Sequence, residues 1–171
     1  MDFLILKPSG GVAFFRSDAF RANWSQDELA LSADFPFLED KVIERGQRIA
    51  FRDPDGGAWQ VMEVRLAKVM ADGRYQSVNA ESIVISELSD EHIDECAITD
   101  ITAQAALSAV LNGTDWSIGE VTASGVSSAD ISRGSVWQAV NQIKENWNVY
   151  IEPRFSIDSA GNIGRVLDVK P

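Results

Sequence analysis

The chain has 171 residues, 45% of them hydrophobic, with five Trp and eight Phe. That is enough apolar surface for one large or two small cores and excludes a disordered chain. A formal net charge of −11, from 26 acidic and 15 basic residues, argues against tight nucleic-acid binding through Lys and Arg and against docking on an anionic membrane.

The first residues, MDFLILKPSGG, carry an acid at position 2 and only a short apolar run, so they do not read as a secretion signal. No later run approaches the ~18 apolar residues of a membrane span. The lone Cys96 excludes an internal disulfide. A protein made in the cytoplasm is expected.

The front half reads as β. Phe3–Leu6 and Val12–Phe15 are short strand-like runs separated by PSGG. Glu28–Phe37 alternates, with Leu29, Leu31 and Ala33 on one face, and Arg48–Asp53 alternates with Ile49 and Phe51 together. Asp53–Gly57, DPDGG, then joins two β-rich runs. Pro54 suits the first corner of a turn and the glycines accept positive φ, so a hairpin tip is expected. A calcium loop needs further oxygen ligands and a distal Glu, and a phosphate loop opens a helix; neither pattern is here.

The run from Ala58 to Met70 is apolar on both faces, with Trp59 and Val61 on one and Met62, Val64 and Leu66 on the other. One-sided alternation marks a sheet with a wet face. Two-sided apolarity predicts a barrel wall covered outside by another domain or subunit, with Trp59, Val61, Met62, Val64 and Leu66 as candidate interface residues, some of them core. A turn at Ala71–Gly73 leads into the further β-rich stretch RYQSVNAESIVISEL.

The polar stretch Ser89–Asp94 predicts a boundary, giving a β-barrel-like domain over 1–93 and an α+β domain over 94–171. Asp100 is placed to cap a helix whose Ala103, Leu107, Val110 and Leu111 share a face, and Asn112-Gly113 ends it. Trp116–Val121 is a short strand. A Ser/Gly-rich loop follows, then a helix opened by a Ser135/Gln138 capping box, with Val136, Val140, Ile143 and Trp147 along one stripe. Val149–Ile157 and Ile163–Val169 flank a DSAGN turn as a closing hairpin.

Chemistry-bearing groups are few. His92 is the only His, and Cys96 follows four residues on, but both sit in an acidic connector, a poor setting for a thiolate nucleophile. The cluster Asp90, Glu91, Asp94 and Glu95 lacks the shaped turns of a hard-ion site. There is no Walker A, dinucleotide or nucleophile-elbow pattern. The five Trp read more naturally as core or interface anchors than as a sugar platform, Trp137 and Trp147 as core of a helix packed on a sheet. No catalytic residue, metal site or cofactor is expected.

The order of segments resembles a family. ALSAVLNGTDWSIGEV (Ala106–Val121) looks like the helix–Gly–Thr–x–Trp–strand passage of phage and prophage tail-tip hub proteins, including prophage endopeptidase tail-like proteins. Glu28–Val64 is similar to their strand, Pro-containing corner and acidic hairpin. Asn79–Ile93 resembles the passage closing their first barrel, and Ser135–Ile157 their second helix and hairpin. The resemblance covers roughly Leu29–Val169. It implies a structural, non-enzymatic subunit of a tail tip or baseplate hub in the virion. Its barrel would form a ring with its copies, usually three, continuing the tail tube and contacting adjacent tail proteins. It also implies that this chain is the N-terminal region of a longer protein. A peptidoglycan hydrolase and a host-surface carbohydrate-binding module stand as alternatives.

Overall fold

The computed structural model describes residues 2–7, 13–54 and 57–171, with the backbone alone for 13–15. The PSGG turn, Val12, and Asp55-Gly56 of the DPDGG tip lie outside the described residues. Strands account for 51% and helices for 18%, in a curled half-barrel sheet with three helices, so the α+β class with large β content holds. Two compact units divide the chain: 1–83 with 155–164, and 84–154 with 165–171.

The first unit carries β1 (Asp2–Leu6), β2 (Ala13–Asp18), β3 (Arg21–Ser25), β4 (Ala30–Pro36), β5 (Arg48–Arg52), β6 (Trp59–Val69) and β7 (Tyr75–Ser82). Their ladder order is β2-β1-β5-β6-β7-β4-β3, every pairing antiparallel. Alternation selects the inner face. Phe3 and Ile5, Leu31, Ala33 and Phe35, Ile49 and Phe51, Met62 and Val64, and Val78 and Ala80 form one buried cluster. Phe3 on β1 and Phe35 on β4 are four ladder steps apart, which is ~19 Å in a flat sheet. Their ring centroids are 5.1 Å apart, edge to face. Contact at that distance requires the sheet to curl over its own core.

The DPDGG segment joins antiparallel β5 and β6, with Arg52 opposite Trp59, as the hairpin expectation required. The Asp53 carbonyl accepts from the Gly57 N–H at 2.8 Å, and Gly57 has φ +65°. β3 is a strand the sequence reading did not place. Leu29, expected to share a strand face with Leu31, instead occupies the β3–β4 turn at φ +51°.

After β7 comes α1 (Ile83–Asp90), where a continued strand was expected. Local β-propensity of the IVI run is overridden by tertiary contacts: Val84 and Leu88, one helical turn apart, are both buried, and Glu87 holds the Trp116 indole and Arg165. Then come β8 (His92–Ile93), β9 (Cys96–Thr102), α2 (Ala103–Val110), β10 (Ser117–Val121), β11 (Val126–Ile131), β12 (Gly134–Ser135), α3 (Val136–Trp147), β13 (Tyr150–Ile157) and β14 (Ile163–Lys170). β9 and β11 pair antiparallel through segments read as connector and loop. Thr102, not Asp100, caps α2: its hydroxyl accepts from the Ala105 N–H at 3.2 Å, while Asp100 sits at φ +52°. The stripe Ala103, Leu107, Val110 and Leu111 is buried as expected. The α3 capping box is present in both directions, and Val136, Val140 and Ile143 are buried. Trp147 and Trp137 are half-buried; the Trp147 indole N–H donates to the Ile101 carbonyl at 2.9 Å.

β10 runs parallel to β14. Asp168 fixes that pairing: it accepts from Arg154 at 2.6 and 3.0 Å and from the Glu120 N–H at 2.7 Å. A Cβ at Gly119 would lie 2.1 Å from an Asp168 oxygen, so only glycine lets the strand approach. The bond from Arg154, with the Glu120 N–H against the opposing effect of burial, holds the Asp168 carboxyl below its ordinary value of 3.8.

Phe3→Ala should cost about 3–5 kcal/mol in urea unfolding, the usual loss for a large aromatic in a packed core. The depressed Asp168 group contributes stability that is full above 3.8 and is lost as pH falls through its lower folded value. Acid titration of unfolding should therefore be shallower in Asp168→Asn below that pH, and an unchanged slope would show that the carboxylate is not coupled to folding.

Candidate interaction surface

The outer face of the half-barrel is set by one irregularity. Val64 faces Ala80 and the next paired residue, Leu66, faces Asn79, so Arg65 is an extra residue in β6. A β-bulge of this kind shifts the alternation by one. Leu66, expected on the face of Met62 and Val64, therefore turns outward and is 55% exposed, while Ala67 packs on the core side. The Arg65 guanidinium spans Glu63 and Glu81 at 2.7 Å on that outer face.

Residues directly opposite on antiparallel strands share a face. One outer row is thus Leu66, Asn79, Ser32 and Asn23; the next is Lys68, Ser77, Asp34 and Arg21. Beyond them Tyr75 stands opposite Pro36, and its carbonyl accepts from the Met70 N–H at 2.8 Å. The Phe20 ring lies 5.2 Å from the Tyr75 ring and is 68% exposed; Met70 is 45% exposed. Phe20, Tyr75 and Met70, with Leu66 beyond Lys68, make an interrupted apolar strip on an otherwise polar face. Below the strip, the buried Gln76 accepts from the Ile43 N–H at 3.0 Å and donates to the Ile43 carbonyl, which pins the 37–47 segment over the core.

The other expected interface residues lie elsewhere. Val61, Met62 and Val64 are fully buried within this chain. Ala50, opposite Val61, is buried too, so β5 and β6 are covered on both faces. Trp59 is half-buried, with the Arg52 guanidinium 4.3 Å above its ring. Phe20, Met70 and Tyr75 were missed. Phe20 precedes an unrecognised strand, and the outward turn of β6 at Arg65 leaves no mark in the alternation.

In the second unit an open groove of about 660 Å³ runs between α2 and β10, lined by Gln104, Ser108, Asn112, Thr114 and Ser117 with Leu111 and Ile118. Trp116 forms part of its wall but is 5% exposed, its indole N–H donating to Glu87 at 2.9 Å. Glu87 also receives both ends of the Arg165 guanidinium at 2.7 and 2.9 Å. The indole is thus locked in place rather than presented as a platform. His92 and Cys96 are both exposed; His92 pairs with Ser135 on one short ladder and Cys96 with Ile131 on another. Among the described residues no three His, Cys, Asp or Glu side chains group as metal ligands, and no helix is long and apolar enough to cross a membrane.

Deleting Arg65 makes Val64 and Leu66 consecutive opposite Ala80 and Asn79, so the bulge is removed while Leu66 and Lys68 stay outward and Ala67 stays on the core side. The stability loss should be no more than about 1 kcal/mol, the worth of the exposed ion pairs Arg65 makes. A much lower denaturant midpoint would show that the bulge itself holds the sheet together.

No family model and no curated protein matches the chain. Solved structures do resemble it. One is a tail protein from Neisseria meningitidis MC58, 14% identical, the match covering 97% of this chain and 45% of that one, with a TM-score of 0.43. Another is the E. coli c3393 protein, a component of the type VI secretion system with structural similarity to the T4 bacteriophage tail proteins gp27 and gp5. It is 12% identical over 99% of this chain and 45% of its own length, with a TM-score of 0.48. The chain thus spans 45% of the length of these two solved proteins.

Proposed function

We propose that this chain is a structural, non-enzymatic part of a phage or prophage tail tip, assembling with copies of itself through the outer face of its half-barrel. The observation that carries the assembly is the apolar strip Leu66, Met70, Tyr75 and Phe20, set outward by the Arg65 bulge. An exposed apolar strip on a polar sheet face is the mark of a surface that another protein covers. The tail assignment is supported by the order of sequence segments that resembles tail-tip hub proteins. In this reading the ring is a trimer that continues the tail tube, and adjacent tail proteins are further partners. The net charge of −11 suits a conduit that passes nucleic acid without holding it. Residues 1–93 act as the ring-forming domain and 94–171 as the outer α+β domain. Trp59 and Leu66, of the five expected interface positions, have side chains accessible to a partner, whereas Met62 and Val64 are buried on the inner face of the wall and Val61 is buried on its other face.

Light scattering tests the assembly. The chain should form a closed oligomer, and Leu66→Asp with Met70→Asp should return it to monomer while leaving its circular dichroism unchanged. An oligomer indifferent to both substitutions would remove the strip from the interface.

A further inference from the structure

Charge is segregated along this chain. Between Arg74 and Arg133 there is no Lys or Arg, but there are five Asp and five Glu. Several of these carboxylates stand together around the start of the β9–β11 ladder: Glu91, Asp94 and Glu95 are exposed, and the exposed Asp130 is opposite Ala97. The ion pair on that surface is loose, Asp94 to Arg133 at 3.6 Å with both side chains more than 80% exposed. The apolar strip of the half-barrel carries cations among its flanking charges, beside Asp34 in the Lys68 row and Asp72 next to Arg74. Lys68 lies on the outer face between Leu66 and Met70, Arg74 precedes Tyr75, and both are exposed and without an ion-pair partner among the described residues. Arg65 is different, since Glu63 and Glu81 neutralise it.

We infer that the strip around Leu66 and Met70 receives the acidic β8–β9 surface of a second copy of this chain, with Lys68 and Arg74 facing Glu91, Asp94 and Glu95. This rests on the assembly reading above and specifies its partner surface. Every copy carries both halves of the match in equal number. The contact is heterologous, joining unlike surfaces, which is the arrangement that propagates into a closed ring or a filament. The apolar side chains supply the area removed from water, and the charges set which surface docks and in what orientation. The same charges oppose a strip-to-strip dimer, which would bring Lys68 and Arg74 of two copies together.

A charge swap tests it. One variant carries Lys68→Glu and Arg74→Glu; the other carries Asp94→Lys and Glu95→Lys. All four positions are exposed, so both proteins should keep the wild-type circular dichroism. Wild-type self-association, followed by sedimentation, should weaken at least roughly tenfold between about 0.1 M and 1 M salt, as the Debye length falls from about 10 to about 3 Å. Each variant alone should be monomeric, and mixing the two should restore association, because every contact between unlike variants pairs opposite charges; three positions cannot alternate, so the restored species are mixed dimers or open chains rather than a closed trimer. If the wild type assembles but neither salt nor either variant changes it, this surface pairing is wrong while assembly through the strip stands. If a mixture of the two monomeric variants stays monomeric, the pairing is also overturned. A wild type that is monomeric at both salt concentrations overturns the pairing and the assembly reading together.

Discussion

Phe3 must touch both Phe51 on the neighbouring strand and Phe35 on a strand four ladder steps away, and no flat sheet allows this. The apolar inner face cannot be covered by a layer of another kind within the first unit, so the sheet covers itself. Once it curls, inner residues converge and pack edge to face, with Trp24 closing on Phe51 at 5.7 Å. Everything else about the half-barrel follows from that self-coverage. The inner alternation is fixed, Gln76 is drawn in to hold Ile43, and the remaining apolar side chains have only the outside left to occupy.

The bulge at Arg65 decides what that outside contains. Without it, β6 would turn Met62, Val64, Leu66, Lys68 and Met70 to one face along its whole length. With it, the strand splits into a core-facing first half, Met62 and Val64, and a second half whose Leu66 and Met70 face out. The extra residue is held by its own electrostatics, since Arg65 is fixed between two carboxylates on the outer face. A backbone irregularity thereby places Leu66 on the outer face.

The second unit solves a different problem. Its helices bury narrow stripes against short ladders, so polar anchors do much of the positioning. Asp168 orients Arg154 and the bulged part of β10, and Glu87 ties the Trp116 indole to Arg165. Gly119 is required because these anchors occupy the space a Cβ would take. The unit is the more acidic of the two, and Val126 and Tyr150 stand exposed on it.

The sequence alone determined those features that depend on near neighbours. The alternation of Ile49 and Phe51, the α2 stripe and the Ser135/Gln138 capping box were all legible, because strand faces, helix stripes and caps are fixed by residues two to four positions apart. The apolarity of both β6 faces was legible too, and Val61 and Met62 are indeed buried on opposite sides. Tertiary structure decided the rest. Helix α1 formed from a β-favouring run, and β9 and β11 emerged from an acidic connector and a Ser/Gly-rich loop, because each is stabilised by a partner distant in the chain. The outward turn of Leu66 depends on how β6 meets β7, and the strip it joins depends on Phe20 folding onto Tyr75. Those are long-range contacts, and no local pattern of residues encodes where a ladder will slip by one.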